Sequence, residues 1–256
     1  LDTAEIRRIQ FTPDLMPSDV LGTTVFNMKT NEFDFHQGPI FADIVLVDEI
    51  NRAPAKTQAA LFEVMEERQI SIDGITHKMG ELYTILATQN PVEQEGTYKL
   101  PEAQLDRFLM KITMDYPSLE EEVNILERHH TNASLIKLDD IKPAITKEEL
   151  LSLRALMNQV FVDRTLLQYI ALIVQQTRTS KAVYLGASPR ASVAMLQSSK
   201  AYALLQGRDF VTPEDIKFVA PYVLQHRLIL TAEAEMEGYS PVKVTQRLID
   251  KVEVPK

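Results

Sequence analysis

An apolar run that ends in two acidic residues constrains the fold more than any other feature of this sequence. In ADIVLVDEINRAP, at 42–54, the apolar residues 44–47 are followed at once by Asp48 and Glu49. A short run of this kind is typical of a parallel strand that helices cover on both faces. Because the ligands of parallel sheets bind beyond the carboxyl ends of the strands, the acidic pair marks a candidate site.

The pattern of the chain changes near residue 140. Before that point short apolar runs alternate with helix-like segments, and after it strand signals nearly vanish. We therefore predict two domains, an α/β core over residues 1–140 and an all-α domain over residues 141–256. The strands predicted for the core are 7–12, 43–49, 82–90 and 108–114.

Two hairpins are predicted within the core. The stretch 23–38 has turn residues near 29–31, and the stretch 69–79 has Asp73-Gly74 at its turn. Between them, 53–69 is predicted to be a helix with Pro54 at its first position. Hairpins added to an α/β sheet are not needed for its core, so we expect them to contact partners or substrates, or else to be surface decoration.

The helical domain carries clear start signals. Thr212 and Asp215 predict a capping box at one helix. Ser188 predicts the N-cap of another helix, with Pro189 at its first position, which puts Arg190 in the first turn. Because the helix dipole disfavours a cation there, we expect an anion opposite Arg190.

The residues alone leave two interpretations of the acidic pair open. Successive strand residues point to opposite faces, so Asp48 and Glu49 can take separate roles. One carboxylate can hold Mg²⁺ while its neighbour orients or deprotonates an attacking water. Alternatively, both carboxylates simply cap the following helix, where negative charge is favourable. Gln89 and Asn90 end another predicted strand and raise the same question.

Several motifs, taken together, resemble the MoxR family of AAA+ ATPases. They are IVLVDEINRAPAKTQAAL after residue 43, ATQNP at 87–91, LPEAQLDRF at 100–108 and GASPRA at 186–191, with supporting stretches at 8–23 and 38–44. The resemblance covers nearly the entire chain. It implies a three-layer AAA+ parallel-sheet core of the P-loop NTPase type, followed by an all-α lid domain.

The resemblance also implies a role for each matching residue. Asp48 would hold Mg²⁺ through water and Glu49 would activate the hydrolytic water, as the Walker B pair. Asn90 matches sensor 1, near the γ-phosphate of ATP. Arg107 matches the arginine finger that reaches the nucleotide of the adjacent subunit, and Arg190 matches sensor 2. The implied cofactors are ATP and Mg²⁺.

Other readings of two of these residues stay open. Asn90 is also a suitable turn residue ahead of Pro91. Arg107 is also explained as a surface arginine paired with Asp106 or Glu102.

The resemblance further implies an assembly and partners. The family commonly forms a homo-oligomeric ring, usually a hexamer. It remodels, assembles or matures client proteins together with a protein that has a von Willebrand factor A domain. We expect the same of this chain.

The family's phosphate-binding loop is not found in this sequence. That loop ends in Gly-Lys-Ser/Thr and supplies amide N–H groups, a lysine and a hydroxyl that binds Mg²⁺. None of the eight glycines here is followed by lysine. We expect that the first strand and loop of the natural protein are missing from this chain, which alone should bind ATP poorly. The alternative is a loop-less, non-hydrolysing adaptor.

Composition excludes several other classes. The chain has no cysteine, so thiolate metal sites and disulfides are absent, which is compatible with a cytoplasmic protein. A formal charge of −9 opposes nucleic-acid binding, and no apolar run is long enough to span a membrane. A metal-dependent hydrolase using Asp43 with Asp48 and Glu49 is disfavoured, because five strand positions separate Asp43 from Asp48 by roughly 16 Å.

Overall fold

The computed structural model describes residues 1–90, 98, 100–131 and 141–255. Its first half contains β1 (Ile6–Gln10), α1 (Pro17–Leu21), β2 (Gly22–Asn27), β3 (Glu32–Gln37), β4 (Ile44–Asp48), a 3₁₀ turn (Ile50–Arg52), α2 (Ala55–Glu67), β5 (Gln69–Ile72), β6 (Ile75–Lys78), β7 (Thr84–Ala87), α3 (Glu102–Leu105) and α4 (Leu119–His130). Its second half contains α5 (Lys147–Gln159), α6 (Arg164–Thr179), β8 (Val183–Leu185), α7 (Pro189–Leu205), α8 (Pro213–Leu224), β9 (Ile229–Leu230), α9 (Ala232–Met236) and α10 (Pro241–Lys251).

The core sheet has three parallel strands in the order β1-β4-β7. The predicted strands at 7–12, 43–49 and 82–90 are thereby confirmed. The central strand β4 buries Val45 and Val47 completely. Leu61 and Phe62 of α2 belong to the same apolar cluster, which covers the sheet. This packing holds the carboxyl ends of the three strands side by side.

The strand predicted at 108–114 is wrong. These residues form no regular secondary structure, and Ile112 and Met114 are largely exposed. The amide of Lys111 donates to the carbonyl of Tyr222 in α8 at 2.9 Å. An apolar run becomes a strand only where another strand offers a free edge, and no described strand lies beside this segment. Its backbone bonds go to the helical half of the chain instead.

Both hairpins are confirmed. β2 pairs with β3 and β5 pairs with β6, each antiparallel. Asp73 and Gly74 both have positive φ, as a two-residue hairpin turn requires. The two hairpins touch each other, since Thr24 Oγ1 donates to Asp73 Oδ2 and the rings of Phe35 and His77 lie 4.5 Å apart.

The second half, predicted to be all-α, is mainly helical but also contains the short antiparallel pair β8–β9. Its buried cluster is built by α6, α7 and α8, and Tyr169, Ile173 and Met195 lie at its centre. The predicted capping box is present, because Asp215 Oδ2 accepts from the amide of Thr212 at 2.7 Å.

Two helices have ends that the structure defines more closely than the sequence does. α2 begins at Ala55, so Pro54 precedes the helix and is not its first residue. α8 ends at Leu224, and the short strand β9 then pairs with β8. The domain boundary at residue 140 borders residues 132–140, which lie outside the described part of the chain, so it stays a prediction. Across the described ranges, no helix is both long and apolar enough to cross a membrane.

Candidate functional site

The carboxyl ends of β1, β4 and β7 bring a set of polar side chains together. Gln10 is the register partner of Asp48 across the β1–β4 pair. Thr88 follows β7, and its amide donates to the carbonyl of Val47 at 2.9 Å. Gln10 Nε2 donates to Glu49 Oε2 at 2.9 Å. Adjacent strands therefore place an acid, an amide and a hydroxyl at one edge of the sheet.

Asp48 is held by two side chains. Its Oδ2 accepts from Arg8 Nε at 2.6 Å, and its Oδ1 accepts from the hydroxyl of Thr88 at 3.2 Å. The Asp48 side chain is 17% exposed, whereas that of Arg8 is 67% exposed. Arg8 can therefore swing away at little cost, and Asp48 then presents an oxygen to solvent.

Thr88 orients both acidic residues. Its Oγ1 accepts from the amide of Glu49 at 2.9 Å, which leaves its own hydrogen to be donated to Asp48. Its carbonyl accepts from the amide of Ile50 at 3.0 Å. Sequence analysis did not identify Thr88, because the strand predicted at 82–90 runs through it. The observed strand β7 ends at Ala87, which puts Thr88 directly after the strand.

Glu49 has a left-handed backbone, with φ 54° and ψ 51°. Such a conformation costs a non-glycine residue about 1–3 kcal/mol and persists only where the surroundings impose it. Here the amides of Glu49 and Ile50 donate hydrogen bonds to Thr88, and these bonds impose the left-handed conformation. The side chains of Glu49 and Asp48 therefore have different partners. Arg52 Nη1 lies 3.3 Å from Glu49 Oε2.

Asn90 lies beside the turn that follows Glu49. Asn51, which is 6% exposed, donates from its Nδ2 to the Asn90 carbonyl at 3.1 Å. The structure thus brings Asp48, Glu49 and Asn90 to the same edge of the sheet, as the sequence predicts.

Arg107 and Arg190 form a second group. Both pair with Glu66, Arg107 through Oε2 and Arg190 through Oε1. Arg107 Nη1 also donates to the carbonyl of Phe62 at 3.0 Å. Glu66 stands eleven residues after Ala55, or about 16 Å farther along α2. Arg107 thus pairs with Glu66, and not with Asp106 or Glu102, its neighbours in the sequence.

A cavity of about 200 Å³ adjoins Arg107. Glu63, Glu66 and Gln104 are among the residues that line it. Arg107 Nε and Gln104 Oε1 are buried and have no hydrogen-bond partner among the described residues. Arg107 therefore keeps a donor unused, and the cavity beside it is polar enough to admit water.

Asp43 does not belong to the strand-end group. Lys147 Nζ lies 2.6 Å from Asp43 Oδ1, and the amide of Glu5 donates to Oδ2 at 3.1 Å. The hydrogen bond from Lys147 holds the pKa of Asp43 below its usual value. Asp43 therefore joins β1, β4 and the start of α5 as a structural ion pair.

The strand-end group is suited to Mg²⁺ bound largely through water. In the part of the chain that the structure describes, no three His, Asp or Glu residues are close enough to form a metal cage. Asp48 nevertheless offers one oriented carboxylate, with the Thr88 hydroxyl beside it. Mg²⁺ often takes one or two protein oxygens and fills its other positions with water and substrate phosphates.

The chain is similar to known proteins over most of its length. Residues 2–110 match a family described as "ATPase family associated with various cellular activities (AAA)", and residues 175–250 match an AAA lid domain. The chain is 47% identical to the uncharacterized protein YeaC of Bacillus subtilis, over 98% of this chain and 78% of that protein. It is 43% identical to the chaperone MoxR1 of Mycobacterium tuberculosis, over 97% of this chain and 67% of that protein.

A solved structure supports the fold. The crystal structure of an ATPase candidate from Cytophaga hutchinsonii superposes with a TM-score of 0.88 at 40% identity, over 99% of this chain and 78% of that one. The parallel sheet, its acidic edge and the helical second half define a protein of the AAA+ class. Within that class, the chain belongs to the MoxR family of ATPases.

Proposed function

We propose that the protein hydrolyses ATP with the help of Mg²⁺ and uses the energy to remodel, assemble or mature client proteins. The observation that supports this most directly is the acidic edge of the sheet, where Thr88 fixes Asp48 and the backbone of Glu49 in different directions. Two carboxylates with separate partners can divide the work between holding a cation and accepting a proton.

Each residue of the strand-end group has a distinct proposed role. Asp48 would hold Mg²⁺ through water after its ion pair with the exposed Arg8 has opened. Glu49 orients the attacking water and accepts its proton. Asn90 supplies a neutral hydrogen-bonding side chain beside the terminal phosphate. When bound, Mg²⁺ would neutralise charge on the phosphates.

Arg107 and Arg190 are proposed to contact phosphate as a pair. Both are partly exposed, at 28% and 49% of the side chain, and both pair with the single carboxylate of Glu66. Because Glu66 lies far along α2 from the strand ends, Arg107 is better placed to act on a neighbouring subunit's nucleotide. This arrangement requires a ring, which we propose to be a hexamer.

The partner and client are proposed from the family. MoxR1 is named a chaperone, and we extend that activity to this chain together with a von Willebrand factor A domain partner. We also propose the boundary near residue 140 as the joint between the ATPase core and its lid. The β2–β3 hairpin is the proposed contact for clients. Its Phe26 and Phe33 side chains are exposed, and their ring centroids lie 5.1 Å apart.

The phosphate-binding loop is a necessary part of this proposal. Residues 1–256 contain no Gly-Lys pair, so we propose that these residues alone bind ATP weakly and hydrolyse none. Calorimetric titration with ATP and Mg²⁺ should give little heat for residues 1–256 and a measurable affinity for the full-length protein, by which we mean a chain that includes a Gly-Lys-Ser/Thr loop. Tight binding by residues 1–256 would contradict the need for the loop. A natural protein that has no Gly-Lys-Ser/Thr loop and gives no heat with ATP would favour the loop-less adaptor.

The test of the mechanism is Glu49→Gln in the full-length protein. ATP affinity should stay within about twofold while turnover falls by 10²-fold or more, since general-base catalysis contributes about 10²–10⁴-fold. Glu235→Gln, on the exposed face of α9, is the matched control and should leave both unchanged. Equal turnover in the two variants would remove Glu49 from the proposed role.

A further inference from the structure

A buried ion pair joins the segment that carries Arg107 to the helical half of the chain. Arg227 Nε donates to Asp106 Oδ1 at 2.8 Å, and the Arg227 side chain is 3% exposed. Asp106 directly precedes Arg107, so this ion pair fixes the position of the backbone from which the Arg107 side chain extends.

Every N–H of the Arg227 guanidinium has an acceptor. Besides Asp106 Oδ1, its acceptors are the carbonyls of Asp106, Phe108, Leu109 and Val223. Three of these four carbonyls belong to the chain just around Arg107. A fully bonded guanidinium resists displacement, because each lost bond would leave a buried polar group unpaired. The segment around Arg107 is thus fixed to the end of α8.

The other oxygen of Asp106 is bound to the start of α7. Ser188 Oγ donates to Asp106 Oδ2 at 2.8 Å. The same Oγ accepts from the amide of Arg190 at 3.1 Å, as the N-cap of α7. One carboxylate therefore connects, through Ser188, to the backbone of Arg190 and, through the peptide chain, to Arg107.

We infer that Asp106 and Ser188 are positioning residues that hold Arg107 and Arg190 at a fixed spacing, so that the two guanidiniums act on phosphate as one unit. The inference rests on the proposed function, in which both arginines contact phosphate. Two cations that converge on one point repel each other, and rotation of α7 relative to the Arg107 segment would relieve that repulsion. The link from Ser188 to Asp106 opposes this rotation.

The test variant is Ser188→Ala in the full-length protein, with Ser240→Ala as its matched control. Ser240 caps α10 as Ser188 caps α7, but it has no link to Asp106. Both variants lose one N-cap bond and should lower Tm, and Ser188→Ala should lower it somewhat more because it also loses the bond to Asp106. Only Ser188→Ala should lower kcat, by about tenfold, because a small misplacement of a catalytic group reduces turnover steeply. The KM for ATP should stay unchanged.

Two further measurements separate positioning from general damage. Ser188→Thr keeps the hydroxyl and should restore kcat. In an Arg190→Ala background, Ser188→Ala should lower kcat no further, whereas the effect of Ser240→Ala should be the same in both backgrounds.

The outcomes distinguish this inference from the function on which it depends. If Arg107→Ala and Arg190→Ala leave turnover unchanged, the proposed role of the arginines is wrong and the inference fails with it. If the arginine variants lower turnover but Ser188→Ala behaves like Ser240→Ala, the proposed function stands and the positioning role is overturned.

Discussion

Arg107 and Arg190 belong to different halves of the chain, and each pairs with a different oxygen of the same carboxylate. That carboxylate, Glu66, neutralises only one of the two positive charges. Counted with Glu66 alone, the pair keeps one positive charge, and Glu63 and Glu67 also line the adjoining cavity of about 200 Å³. A phosphate group carries enough negative charge to replace Glu66 between the two guanidiniums.

The first prediction concerns Glu66. Glu66→Gln should raise the affinity of the protein for tripolyphosphate by up to about fivefold, since it removes a competing surface ion pair that contributes about 0.2–1 kcal/mol. Isothermal calorimetry would measure the change. Glu63→Gln, on the same helix and the same cavity, is the matched control. An equal gain in both variants would show a general charge effect and no specific competition.

The second prediction concerns Thr88. Thr88→Val keeps the shape of the side chain but removes both hydroxyl bonds, so turnover should fall about tenfold as Asp48 and Glu49 lose their orientation. Thr88→Ser should retain most of the activity. Thr84→Val, at the other end of β7, removes only a bond to the Leu82 carbonyl and should leave turnover unchanged. Full activity in Thr88→Val would mean that the hydroxyl orients neither acid.

The third prediction concerns the sharing of the site between subunits. Arg107→Ala and Glu49→Gln proteins should each be nearly inactive alone, and mixed rings should recover part of the turnover. Recovery follows because one mutant supplies an intact strand edge and the other an intact arginine. Turnover would be measured against mixing ratio, with ring assembly checked by light scattering. No recovery at any ratio would argue for a site within one subunit.

The fourth prediction concerns pH and His226. Burial, followed by the charge of Arg227, lowers the pKa of His226 to about 4, from an ordinary value of 6.5. Its Nε2 donates to the carbonyl of Phe108 at 3.1 Å. That bond raises the pKa, but burial outweighs it, so the folded protein holds the neutral ring. The unfolded chain takes up the proton first as pH falls. The free energy of unfolding should therefore be highest above pH 6.5 and decrease between pH 6.5 and 4, by about 3 kcal/mol at most.

His226→Gln provides the check on that pH dependence. Glutamine keeps a donor for the Phe108 carbonyl but does not titrate, so the decrease between pH 6.5 and 4 should become shallower. His36→Gln, at an exposed position of β3, is the control and should keep the slope of the original protein. Urea unfolding at several pH values would measure both. Identical slopes in the two variants would exclude His226 as the source.

The features predicted correctly from the sequence are those with a local signal. The apolar run before Asp48 identified a buried strand, Asp73-Gly74 identified a hairpin turn, and Ser188 with Pro189 identified the start of a helix. Each of these depends on residues within one or two turns of the chain.

The features that sequence analysis missed depend on contacts between distant residues. The run at 108–114 is apolar enough for a strand, yet apolar character does not reveal whether a neighbouring strand exists. Glu66 and Arg227 have no local pattern that marks them. Their roles follow from pairing with Arg190 and Asp106, each more than a hundred residues away in the sequence.

At position 49 the left-handed backbone favours one residue for stability, whereas catalysis requires another. Glycine adopts that conformation without a steric penalty, so Glu49→Gly should be tolerated by the fold better than most substitutions in a turn of this kind. Glycine has no carboxylate to accept a proton, however. A screen that selects for thermal stability alone would therefore favour variants at this turn that are more stable but catalytically inactive.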